Sequence, residues 1–153
     1  MKQILITGSA GFIGANLTRH LLESSENITV IGLDNMNDYY DPSLKEYRLS
    51  QIEGAAQKNQ NAKFHFVRGS IADKALVDSL FEKYHFDIVV NLAAQAGVRY
   101  SIDHPDVYME SNIIGFYNIL EACRHYPVQH LVYASSSSVY GSNKKIPYST
   151  DAN

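Results

Sequence analysis

Thr7-Gly8-Ser9-Ala10-Gly11-Phe12-Ile13-Gly14 is the stretch on which the reading of this chain turns. It follows a strand-like run, Gln3-Ile4-Leu5-Ile6, and opens a helix-like segment, Phe12–Leu22. At such a junction Gly8 permits a tight turn off the strand. Gly11 lets the backbone approach a diphosphate with no Cβ in the way, and Gly14 lets the helix pack closely. The helix N-terminus then faces the diphosphate with its free N–H groups and dipole, an effect of order 1 kcal/mol before hydrogen bonds are counted. The spacing is G-x-x-G-x-x-G rather than the commoner G-x-G-x-x-G. Asp34 supplies the context that a lone glycine triplet lacks. It ends the second strand-like run, twenty residues beyond Gly14 (34 − 14), where a carboxylate accepts hydrogen bonds from an adenosine ribose. Such a carboxylate repels a 2′-phosphate, so NAD is expected rather than NADP.

Working outward, short β-type runs alternate with helical ones. Strands are expected at Lys2–Ile6, Ile28–Leu33, Phe64–Val67, Asp87–Leu92 and His130–Ala134. Helices are expected at Phe12–Leu22, with Phe12, Ile13, Leu17, Leu21 and Leu22 as its apolar stripe, and at Pro42–Gln57, polar and opened by a proline. A third runs from an Asp73 N-cap to Tyr84, burying Leu76, Val77, Leu80 and Phe81, and a long fourth spans Pro105–Tyr126. Ile88-Val89-Val90 reads as a strand covered on both faces. This βαβα order implies an α/β fold: a Rossmann-type, doubly wound parallel sheet in three α/β/α layers. The polar tail Ser142–Asn153 ends without a stop signal, so the chain is read as the N-terminal part of a longer protein.

Composition narrows the function classes. The chain has 153 residues, 45% hydrophobic and 19% charged, with net charge −3, which is ordinary globular usage. Lys and Arg are scattered, whereas a nucleic-acid binder would cluster them on one face. The apolar runs are far short of the roughly 20 residues that span a bilayer, and no signal-peptide layout opens the chain. The single cysteine, Cys123, is expected in the core of a protein from a reducing, cytoplasmic setting. The six histidines show no metal-ligand spacing.

Two candidates lie near the ligand-binding ends of the strands. Ser135-Ser136-Ser137-Ser138 follows the last strand, where open α/β sheets bind ligands. Arg99 reads equally as a surface charge or as a bidentate partner for a phosphate or sugar carboxylate. Tyr39-Tyr40 suits packing or a lid. Tyr140-Gly141-Ser142-Asn143-Lys144 matches Tyr-x-x-x-Lys, but catalysis needs that pair one helical turn apart, and this segment reads as a loop.

These motifs resemble the extended short-chain dehydrogenases/reductases, within them the NAD-dependent nucleotide-sugar epimerases and dehydratases. The glycine loop resembles the family's first fingerprint, Leu92-Ala93-Ala94-Gln95 the segment after its fourth strand, and Ser135–Gly141 its serine motif. Leu33–Pro42 and Gln95–Ser101 resemble the UDP-glucuronate 4-epimerase branch. The resemblance implies that Gly8, Gly11, Phe12, Ile13 and Gly14 hold the pyrophosphate, and Asp34 and Asn35 the adenosine. Ser70 and Ile71 would border the adenine. Leu92, Ala93, Ala94, Gln95, Ser111, Ala134 and Ser135 would line the rest of the cofactor, with Asn112 beside Ser111.

It also implies Ser136 as the catalytic serine, Ser137 and Ser138 at the sugar, a UDP-sugar substrate and a homodimeric parent enzyme. Ser70 stands where the family commonly has Asp, and Asn91 where it often has His. The family's Tyr-x-x-x-Lys pair would lie beyond Asn153. The implied reaction is C4 epimerisation of a UDP-sugar: tyrosinate takes the hydroxyl proton, NAD takes the hydride, and hydride returns to the other face of a 4-keto sugar. Rivals are a 4,6-dehydratase or reductase of the same superfamily and a non-catalytic NAD-binding module.

Overall fold

A computed structural model of the chain describes residues 1–151. Strands β1 (Lys2–Thr7), β2 (Ile28–Asp34), β3 (Ala62–Arg68), β4 (Ile88–Asn91) and β5 (His130–Tyr133) form one parallel sheet in the order β3-β2-β1-β4-β5. This is the expected doubly wound sheet, and its strand order reverses direction at β1 and β4. Helices α1 (Phe12–Ser24) and α2 (Pro42–Lys58) cover one face, and α3 (Lys74–Tyr84) with α6 (Phe116–His125) covers the other. Two short helices, α4 (Tyr100–Asp103) and α5 (Pro105–Tyr108), precede α6.

The period of two along a strand sorts the core into two layers. Leu5, Ile31 and Leu33 pack with Val77, Leu80, Phe81 and Ile119, while Ile4, Ile6 and Val30 pack with Ala15, Leu22, Ile52 and Ala55. All of β2 is buried, as are Val89 and Val90 of β4. Asp73 caps α3 as expected, its side chain accepting from the Leu76 N–H at 3.0 Å. No helix among the described residues is long and apolar enough to cross a membrane.

Three expectations need correction. Phe12 and Ile13 do not belong to the buried stripe of α1; they are 72% and 64% exposed. They sit in its first turn, and the burial falls to Gly14, Ala15, Thr18 and Leu22. Strand β4 is shorter than Asp87–Leu92, because Asp87 turns to accept from the Gln3 and Gln129 N–H groups and Leu92 N–H donates to Thr7. The segment Pro105–Tyr126 is not one regular α-helix. Between α5 and α6, Met109–Gly115 winds as a π-helix. Such wide turns are uncommon and concentrate at functional sites. Here Gly115 lies against Ile71, where a Cβ would come within 2.6 Å of Cδ1, and Ser111 faces the cleft described below.

Candidate functional site

The turn of the glycine loop is built on backbone contacts. Gly8 has φ +67°, a conformation that costs side-chain-bearing residues. Its N–H donates to the Leu33 carbonyl at 2.8 Å, and its own carbonyl accepts from Gly11 N–H at 3.0 Å. Gly14 has that same carbonyl and Ser9 Cα where a Cβ would stand, so helix and loop touch directly. Gly11 precedes α1 with no side-chain cap and no acidic residue in the first turn, which keeps the helix N-terminus suited to an anion.

Asp34 faces this loop from the end of β2. Its carboxylate is buried, with Oδ2 accepting from Ala10 N–H at 3.1 Å and Oδ1 from Met36 N–H at 2.9 Å. An ionised carboxylate has about four acceptor sites, so each oxygen keeps one for a ligand hydroxyl. Across the cleft, Thr7 ties the ends of β1 and β4 together. Its hydroxyl donates to Asn91 Oδ1 at 2.7 Å and accepts from the Leu92 and Ala93 N–H groups, each at 3.1 Å. Asn91, where the family often has His, therefore has a structural partner. Asn112 clamps Gln95 at two points: its Oδ1 accepts from Gln95 N–H at 2.8 Å, and its Nδ2 donates to the Gln95 carbonyl at 2.9 Å. Asn118 Nδ2 likewise donates to the carbonyls of Ile71 and Ala72, both at 3.0 Å.

These elements enclose one open cleft of about 200 Å³. It gathers Gly8, Gly11, Asp34, Asn35, Ser70, Ile71, Leu92, Ala93, Ala94, Gln95 and Ser111, eleven of the residues expected at a cofactor. The five other cofactor candidates and the four residues expected at the sugar do not line it. Phe12, Ile13 and Gly14 lie on α1. Ala134 continues the β5 ladder through its N–H to the Asn91 carbonyl at 3.1 Å, and Ser135 follows it, exposed. Ser136, Ser137 and Ser138 are also exposed: Ser136 caps a 3₁₀ turn, Ser137–Tyr140, with its Oγ accepting from Ser138 N–H at 3.2 Å. Arg99 is exposed at the start of α4.

The Tyr140–Lys144 stretch crosses that 3₁₀ turn and Gly141, φ +56°, and forms no α-helix. Tyr140 stacks instead on Tyr148, with ring centroids 4.5 Å apart. Tyr108 Oη donates to the carbonyls of Ala96 and Gly97, and its phenol is held above the ordinary value, by desolvation first and by Tyr39 second. That is the wrong direction for a general base at neutral pH.

Two cationic side chains escaped the sequence reading. Lys45, in a helix expected to be polar, is buried at the cleft with Nζ 3.7 Å from Asp34 Oδ1. Arg48 donates to Tyr40 Oη at 2.7 Å and the Ala10 carbonyl at 3.3 Å, and lies over the Phe12 ring. Their spacing of three residues, which sets both on one helix face, was the available signal. Tyr39 and Tyr40 also line the cleft, and Tyr39 meets Tyr100 edge-on at 4.9 Å.

The chain is 50% identical over 151 residues to Protein CapI of Staphylococcus aureus, covering 99% of this chain and 42% of that protein. It is 47% identical over 147 residues to UDP-glucuronate 4-epimerase 3 of Arabidopsis thaliana, covering 95% of this chain and 32% of the relative. It therefore spans about a third to two fifths of these curated relatives. Among solved structures, UDP-glucose 4-epimerase from Bifidobacterium longum in complex with NAD+ and UDP superposes with a TM-score of 0.78 at 26% identity, over 99% of this chain and 42% of that one. The profile of the family described as GDP-mannose 4,6 dehydratase matches residues 5–153, and the chain belongs to that family, among the extended short-chain dehydrogenases/reductases.

Proposed function

We propose that this chain is the NAD-binding part of a nucleotide-sugar 4-epimerase acting on a UDP-sugar, UDP-glucuronate by preference. The observation that carries the reading is Asp34: a buried carboxylate with an acceptor site left on each oxygen, sharing one cleft with the glycine loop and the segment after β4. The cradle fits a dinucleotide. Gly8 and Gly14 leave no room for side chains where the loop folds, and the start of α1 has no carboxylate to compete with a diphosphate. Gly8, Gly11, Phe12, Ile13 and Gly14 would hold the pyrophosphate, and Asp34 and Asn35 the ribose. Ser70 and Ile71 would border the adenine. Leu92, Ala93, Ala94, Gln95, Ser111, Ala134 and Ser135 would flank the nicotinamide half. Bound there, the cofactor would accept and return a hydride.

The chain's own residues would orient the sugar. Ser136 would share a hydrogen bond with the C4 hydroxyl, Ser137 and Ser138 would contact the hexose, and Arg99 would pair with a C6 carboxylate. A serine hydroxyl has too high a pKa to take the proton unaided, so a tyrosine activated by a lysine, placed beyond residue 153, would complete the site. The coverage of only about two fifths of CapI supports this division. A dehydratase of the same family is the second reading, favoured by the family's description; against it, Ser135–Ser138 holds no acidic side chain. The parent is further proposed to work as a cytoplasmic homodimer.

Calorimetric titration with NAD tests the cofactor assignment. Binding is expected to the native protein and to be lost in Gly11→Val, whose side chain would enter the diphosphate path. Turnover of UDP-glucuronate tests the rest: residues 1–153 alone should show none, and the full-length enzyme should lose activity in Ser136→Ala. Turnover by the isolated chain would refute the division.

A further inference from the structure

We propose that Lys45 is a specificity-determining residue, its ammonium offsetting the Asp34 carboxylate and narrowing the preference for a free ribose diol over a 2′-phosphorylated one. The inference rests on the assignment of the cleft to a dinucleotide. Helix α2 is largely polar, and a lysine on it would ordinarily point to solvent. Lys45 is instead 4% exposed. A buried ammonium requires compensation, and three residues supply it. Nζ donates to the Asn37 carbonyl at 3.0 Å and to Asn37 Oδ1 at 2.6 Å, and lies 5.1 Å from the Tyr40 ring centroid. Asp34 Oδ1 is 3.7 Å away, both side chains being 6% exposed.

Asp34 does not depend on Lys45 for its hydrogen bonds, since Ala10 and Met36 N–H groups supply those. What Lys45 adds is charge. A ribose 2′-oxygen hydrogen-bonded to Asp34 stands within several ångströms of that ammonium. A phosphate there would meet a carboxylate and an ammonium together rather than a carboxylate alone. Even at the dielectric constant of water, removing one unit charge several ångströms away changes the binding of a phosphate dianion by about tenfold, the lower bound for a buried site, while a neutral diol is far less affected. Lys45 also anchors Asn37, but loosening that loop would weaken both cofactors in proportion and leave their ratio unchanged.

Dissociation constants for NAD and NADP, measured by calorimetry on the native protein, Lys45→Met and Lys45→Arg, separate the two roles. The native protein should prefer NAD. The NADP-to-NAD ratio of dissociation constants should widen about tenfold in Lys45→Met and return to within about twofold of native in Lys45→Arg. An unchanged ratio in a folded Lys45→Met would overturn the proposal and leave the dinucleotide assignment standing. Failure of the native protein to bind either cofactor would overturn both.

Should Lys45→Met not fold, Lys45→Gln, which keeps an N–H donor for Asn37 while removing the charge, serves instead. Its NADP-to-NAD ratio should widen likewise, and an unchanged ratio in a folded Lys45→Gln would overturn the proposal.

Discussion

Replacing Gly14 by alanine should destabilise the protein, although the same change in an ordinary helix stabilises it. Alanine gains about 1 kcal/mol over glycine in a helix interior. Against this, the new methyl would stand 2.9 Å from the Gly8 carbonyl carbon and 3.0 Å from Ser9 Cα, and closer still to Gly8 O. All three are backbone atoms that cannot rotate away. The loop cannot retreat either, because Gly8 and Ser9 N–H both donate to the Leu33 carbonyl and Ala10 N–H donates to Asp34. Overpacking against a pinned backbone costs about 3 kcal/mol, the upper end of the usual range. The net is a loss of about 2 kcal/mol, or roughly 4–8 °C in Tm for a chain of this size. Gly54→Ala is the companion measurement, since nothing lies within 4 Å of its Cβ position in α2; it should gain about 0.5–1 kcal/mol. Urea unfolding of both variants with unchanged m-values reads the difference. A Gly14→Ala protein at least as stable as the native one would refute the claim that loop and helix interlock.

Thr7→Val removes a hydroxyl that serves three partners and should cost about 1–3 kcal/mol in urea unfolding, since Asn91 and two N–H groups are left under-satisfied; a loss below about 0.5 kcal/mol would mean that water replaces it. Burial pushes the half-buried Cys123 thiol up to about 11. It is therefore protonated at pH 8, and its reaction with a thiol reagent should run about a hundredfold slower than in the urea-unfolded chain; equal rates would contradict its burial. Arg99→Lys in the full-length enzyme should raise KM for UDP-glucuronate several-fold more than for UDP-glucose, because an ammonium cannot reproduce a bidentate contact to a carboxylate. Equal changes would remove Arg99 from sugar discrimination.

Much of the sheet was legible because buried parallel strands announce themselves. Val30-Ile31-Gly32-Leu33 and Ile88-Val89-Val90 are apolar without interruption, and each lies in the sheet with helices over both faces. The glycine loop was legible for a different reason: Gly8 and Gly14 occupy places where sterics leave little choice. Local pattern failed where a residue's surroundings come from distant sequence. Phe12 and Ile13 have helical spacing, but nothing in that spacing tells that their turn lies beyond the sheet. The π-helical Met109–Gly115 follows no period a sequence displays, and Gly115 faces Ile71, far back along the chain. Nothing within the polar helix Pro42–Gln57 singled out Lys45, because its counter-charge, Asp34, sits on another element.

The edge-on meeting of Tyr39 with Tyr100 joins the loop after β2 to the segment after β4, and both stretches contribute residues to one cleft. A molecule long enough to touch both stretches would lie near that contact. Its lifetime there would then answer to a clock separate from its affinity: how often the two rings part. Two ligands of equal dissociation constant, one long enough to pass the tyrosines and one ending short of them, would leave at different rates.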